Sequence, residues 1–155
     1  MKLPEAAMAL LDDELALKVL ATADSRGVPY AAVKKSLRSD EDGNIIYLEL
    51  IETSQTNSNM TSSLWFGRAV SILLASPDGR SWRIKGQPYR CLVAGPIFER
   101  YYRKVQERFK DADLAAVWVI TPEDAQDESL ESRAAQESSE HPLMLHLDRI
   151  AKEHT

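Results

Sequence analysis

Positions 54 to 59 read Ser-Gln-Thr-Asn-Ser-Asn, so hydroxyl and amide donors crowd together just where the chain becomes helix-compatible. A helix start exposes unpaired N–H groups and a partial positive charge, and both stabilise a phosphate. Ser54, Thr56 and Asn59 would add donors at short spacing, and Gln55 a further amide. The competing reading is a plain cap, in which Ser54 or Thr56 satisfies the helix's own amides. Basic groups that could meet an anion are the Lys34-Lys35 pair and the cluster Arg80, Arg83 and Lys85; most such clusters are solvated strand faces.

Other chemistry has less support. The only histidines are His141, His146 and His154, and the first two are five apart, which does not place them on one helix face as a metal pair would require. Cys91 stands alone without a histidine neighbour in sequence, so it reads as core or interface. No phosphate-binding Walker loop and no dinucleotide-type glycine fingerprint appears, and aromatics do not interleave with basic strands as on a nucleic-acid platform.

Elements must position these groups. Pro4 suits a helix start, with Ala6 to Leu11 continuing it. Leu15 to Thr22, Tyr30 to Leu37 and Ile45 to Ile51 read as three strands joined by turns at Asp24 to Gly27 and Ser39 to Asn44, an antiparallel meander. Along the second of these, Tyr30, Ala32, Lys34 and Ser36 share one face, and Ala31, Val33, Lys35 and Leu37 the other, expected to be the core face. After the polar loop and short helix of Thr53 to Leu64, Ala69 to Ser76 and Trp82 to Val93 form further strands around a Pro77-Asp78-Gly79 turn. Ile97, Phe98, Tyr101, Tyr102, Val105 and Phe109 make one helical stripe, and Val117 to Ile120 a sixth strand apolar on both faces. Beyond Pro122 the composition turns acidic and serine-rich, expected to be loosely packed and partly helical, before a last helix with Leu143, Leu147 and Ile150.

A length of 155 residues supports one core without disulfides or metals. The net charge of −5 opposes non-specific attraction to nucleic acid or an anionic membrane. One cysteine, no signal-like start and no membrane-length apolar run lead to the expectation of a cytoplasmic protein with no membrane or nucleic-acid partner.

In order along the chain, Leu20-Ala21-Thr22-Ala23-Asp24 with Gly27 and Pro29, then Ser54 to Met60, then Trp82-Arg83-Ile84-Lys85-Gly86 resemble the FMN-binding split barrels of the pyridoxamine 5'-phosphate oxidase-like family. The resemblance covers about Met8 to Thr121. It implies a mainly β (α+β) fold, a six-stranded antiparallel split β-barrel over 1–123, with an acidic segment and helix over 124–155 packing on the barrel or a dimer mate. It also implies a homodimer holding FMN as an oxidoreductase or electron-transfer protein with a small-molecule or redox partner. The implied cofactor contacts are Val33, Lys34, Lys35, Ser36, Leu50 and Ile51 along the second and third strands, Ser54, Gln55, Thr56 and Asn59 at the phosphate, and Trp118 from the dimer mate. Lys34 has an ordinary exposed strand lysine as its equal alternative, and for Trp118 interface core outweighs flavin contact. Gln55 stands where relatives commonly carry lysine, which keeps open a barrel that has lost flavin or holds haem or another anionic ligand without turnover. Some relatives use a C-terminal histidine for haem. No general acid or base is nominated, because a flavin carries the chemistry itself.

Overall fold

The computed structural model describes residues 1–142. Its element order is α1 (Glu5–Asp12), β1 (Leu17–Ala23), β2 (Pro29–Val33), β3 (Arg38–Ser39), β4 (Ile45–Glu49), α2 (Gln55–Phe66), β5 (Val70–Ala75), β6 (Ser81–Leu92), α3 (Pro96–Arg108), β7 (Ala116–Asp127) and α4 (Leu130–Glu140). All seven strands join one antiparallel sheet in the order β2-β1-β5-β6-β7-β4-β3. Among the described residues, no helix is long and apolar enough to cross a membrane.

The connection from β2 to β3 forces this sheet to curl. These strands are its two edges, yet only residues 34–37 separate them. Seven strands laid flat would set the edges roughly 29 Å apart at about 4.8 Å per strand. A linker of four residues reaches less than about 18 Å. The sheet therefore bends into a half-barrel whose open seam is bridged by this linker.

The expected six strands thus become seven, because the second predicted strand is split. Lys34 N still bonds to Lys18 O at 2.8 Å, after which the chain leaves β1, buries Leu37, and resumes as β3 against β4. The expected three-strand meander is corrected accordingly: β4 pairs with β7, not with β2. Asp12, at the end of α1, anchors the crossing by accepting from Ser39 N at 2.8 Å and from its hydroxyl at 2.5 Å. The face expected to be core is also reversed over most of its length: Ala31, Val33 and Lys35 are exposed, while Ala32, Lys34 and Ser36 are partly covered.

Two hydrophobic clusters flank β4 and β7. Ile45, Tyr47, Trp118 and Ile120 face the barrel interior with Leu20, Ile72, Leu74 and Ile84; Ile46, Leu48, Val117 and Val119 face α3 through Tyr101 and Val105. The doubly apolar pattern read for the last strand is therefore covered by the chain's own helix. Gly86 lets β6 and β7 approach, since a Cβ there would lie 2.6 Å from Ile120 Cγ2. The ladder slips beside it and again at Pro88, where a missing N–H is tolerated at an irregularity.

Strand β7 continues through Pro122 to Asp127, so the first acidic residues of the tail lie in the sheet rather than in a loose segment. There they meet the basic cluster of β6: Arg83 pairs with Asp124 at 2.8 Å and Glu128 at 3.5 Å, Lys85 with Glu123 at 3.4 Å. The expected helical character of the tail is α4, capped by Ser129 and with no buried residue. The last predicted helix, with Leu143, Leu147 and Ile150, lies outside the described residues, as do His146 and His154.

Candidate functional site

A cleft of about 550 Å³ opens where the 34–37 linker bridges the seam. That is within the usual range for small-molecule sites. Val33, Lys34, Lys35 and Ser36 form one wall, and Leu50, Ile51 and Ser54 another, so the nominated second-strand and third-strand positions converge with the first residue of the polar cluster. Tyr47, Glu49, Lys18, Arg38 and, from α3, Lys104, Val105, Arg108 and Phe109 complete much of the rest.

The other nominated residues do not reach this cleft. Gln55 Nε2 donates to Asn59 Oδ1 at 2.7 Å, and Asn59 Nδ2 donates inward to Thr22 Oγ1 at 3.0 Å; Asn59 is 1% exposed. Thr56 is buried, its hydroxyl without a protein partner. Trp118 is core: its Nε1 donates to Asn57 Oδ1 at 2.9 Å, tying the first turn of α2 to β7. These side chains build the helix start into the barrel and are unavailable to a ligand in the same cleft.

At that helix start the capping and anion-binding readings both find a share. Ser54 Oγ accepts from Asn57 N at 3.0 Å, and Ser58 N bonds to Ser54 O, whereas the Gln55 and Thr56 amides have no acceptor among the described residues. Two amides thus remain unpaired next to Ser54, the one residue of this segment that lines the cleft. Ser54 has spent its own hydrogen, since its hydroxyl donates to Glu49 Oε1.

Glu49 is the residue that sequence reading missed. Only 2% exposed, it ends β4 with its carboxyl beside Ser54, and burial pushes its pKa up, opposed by the Ser54 hydrogen bond and the charge of Lys34. The available signal was that it is the one charged residue in Ile45 to Ile51. Lys18 was missed for the same reason: alone in an apolar strand, it is 4% exposed and donates from Nζ to Leu37 O at 2.9 Å, with burial lowering its pKa. Ser36 is structural as well, exchanging bonds with Leu48 N at 3.0 Å and Leu48 O at 3.2 Å in place of strand pairing. Lys34 Nζ lies 5.5 Å from the Tyr47 ring centre, and neither Lys34 nor Lys35 has an ion-pair partner among the described residues. No metal-ligating cluster occurs among the described residues.

The cleft therefore combines unpaired lysine charge with an apolar wall, next to a helix start with two unpaired amides, a set that suits an anionic ligand. Glu49 is the buried carboxyl that opposes a phosphate when ionised, and Asp12 and Glu14 add acidic groups at the cleft's other side.

No protein-family model and no curated protein matches the sequence. Solved structures do. HupZ of Group A Streptococcus matches with a TM-score of 0.69 at 22% identity, over 83% of this chain and 95% of that one. An FMN-binding protein from Syntrophomonas wolfei matches at 0.62 and 20%, over 81% and 86%. HutZ, the heme storage protein of Vibrio cholerae, matches at 0.59 and 13%, over 82% and 95%. At these identities the likeness establishes the fold. The chain has the split-barrel fold of pyridoxamine 5'-phosphate oxidase-like proteins, with the cleft at its seam.

Proposed function

We propose that this protein binds FMN in the seam cleft and acts as a flavin-dependent oxidoreductase or electron-transfer protein. The observation that carries this reading is the convergence on one cleft of unpaired Lys34 and Lys35, Ser54 at the start of α2, whose first two amides are free, and the apolar Val33, Leu50 and Ile51. Lys34, Lys35 and the Gln55 and Thr56 amides would hold the phosphate, and Leu50 and Ile51 would offer the ring an apolar wall. Bound FMN supplies hydride or electron transfer; the chain's residues bind, orient and shield it. The likeness to an FMN-binding protein supports the same reading.

A homodimer is part of the proposal. Val33, Val19 and Leu73 form a cross-strand row on the outer sheet face, with Val33 and Leu73 53% and 40% exposed. Leu17 and Ile51 extend the exposed apolar surface that a second copy would cover. Light scattering at micromolar concentration checks this, a monomer removing the dimer from the proposal.

A second reading, a non-catalytic barrel for haem or another anionic ligand, is supported by the likeness to a heme storage protein. One titration separates them. Quenching of FMN fluorescence on adding protein, with riboflavin held more weakly, supports flavin binding through the phosphate. Absence of quenching together with a Soret band on adding hemin supports the second reading and rejects the first.

A further inference from the structure

A second cavity, of about 360 Å³, lies between the β3–β4 turn and α3 and shares Arg38 and Lys104 with the flavin cleft. Its cations are Arg38, Arg100 and Lys104; its carboxylates are Asp40 and Glu41. Asp40 is committed to its own turn, accepting from Asp42 N at 2.9 Å and from Asn44 N at 2.8 Å. None of the three cations has an ion-pair partner among the described residues.

They are also held in place. The Arg100 guanidinium and Lys104 ammonium lie 5.4 and 5.5 Å from the ring centre of Tyr101, which is 5% exposed and packed in the cluster beneath α3. The ring quadrupole attracts both heads, so part of the entropy lost in ordering two long side chains is lost before any ligand arrives. Arg38 Nε donates to Ser36 O at 3.1 Å, which fixes the guanidinium and leaves its terminal nitrogens for an oxyanion. Set against Asp40 and Glu41, the three positioned cations leave this concavity net positive on a chain of net charge −5.

We propose that Arg38, Arg100 and Lys104 bind the phosphate or carboxylate group of a small-molecule ligand, at a position separate from the helix start of α2. The site does not depend on the flavin reading. Because Arg38 and Lys104 border both cavities, a ligand anchored here by its anionic end extends toward the flavin cleft.

Calorimetric titration of the whole protein with inorganic pyrophosphate, and separately with citrate, tests this. Saturable binding is expected, weakened at least about tenfold in Arg100→Glu and unchanged in Arg103→Glu, which makes the same charge change on α3 outside the cavity wall. A preference for pyrophosphate identifies a phosphoryl ligand, and one for citrate a carboxylate. The melting temperature and FMN titration of Arg100→Glu are expected to match the parent. No saturable binding of either anion, or equal weakening in both variants, overturns the site. Pyrophosphate binding that survives in a protein unable to bind FMN upholds this site and rejects the flavin reading alone.

Discussion

The β6–β7 face and the seam cleft are both rich in basic residues, yet their charges are in opposite states. Arg83 and Lys85 meet Asp124, Glu128 and Glu123 across the ladder, and Arg80 meets Asp78 at 2.8 Å in its own turn. Lys34, Lys35, Arg38, Arg100 and Lys104 form no ion pair among the described residues, although Asp12, Glu14 and Glu49 share the cleft with four of them. The count of basic residues alone therefore says little about ligands. What matters is whether the strand or helix alongside brings acids into register, as β7 does for β6, whereas at the seam only Arg108 and Glu14 come within ion-pair distance, at 4.0 Å.

Charge reversal is the largest test of this contrast. Lys34→Glu is expected to weaken FMN binding about tenfold or more, roughly 1.4 kcal/mol, whereas Arg83→Glu leaves it unchanged; fluorescence titration of both variants checks the pair. Equal effects would erase the distinction between the two regions.

Ser54→Ala sharpens it from the cap side. Losing the bond to Asn57 N should cost about 1 kcal/mol, read as a melting temperature a few degrees lower, and Glu49 loses its hydrogen-bond donor as well.

Glu49 itself predicts a pH dependence. Its pKa is raised in the folded chain, so its contribution to stability is fully present below the ordinary carboxyl pKa and is lost as pH rises through the raised value. Glu49→Gln should remove that loss and flatten the melting temperature between acid and neutral pH. A profile identical to the parent's would show that the carboxyl is not held neutral by burial.

The smallest effect belongs to the paired face. Arg83→Ala should change stability by no more than about 1 kcal/mol, less in high salt, because its partners are largely solvated. Denaturant unfolding at two salt concentrations measures it.

Much of this was legible in sequence. The turns at Gly27, Gly43 and Gly79 fall where the hairpins are, each glycine with positive φ, and the stripe of α3 packs through Tyr101 and Val105 as spaced. Seven nominated positions line the cleft because alternation along a strand and helix-start chemistry are local properties. The split of the second strand was not legible: residues 34–37 cross the seam because distant edges close, and that is decided by the whole sheet. The reversed face followed, since period two reports alternation and not which side is dry. Gln55, Thr56, Asn59 and Trp118 were placed at the ligand because polar atoms in sequence look alike whether they face a cleft or one another.

The indole of Trp118 bears on how the cleft can respond to a ligand. Fully buried and bonded to Asn57 in the first turn of α2, it couples the helix start beside the cleft to the barrel core. A ligand that displaces this helix start would disturb the indole's hydrogen bond, so the emission of Trp118, isolated by replacing Trp65 and Trp82, becomes a gauge of whether the rim has shifted.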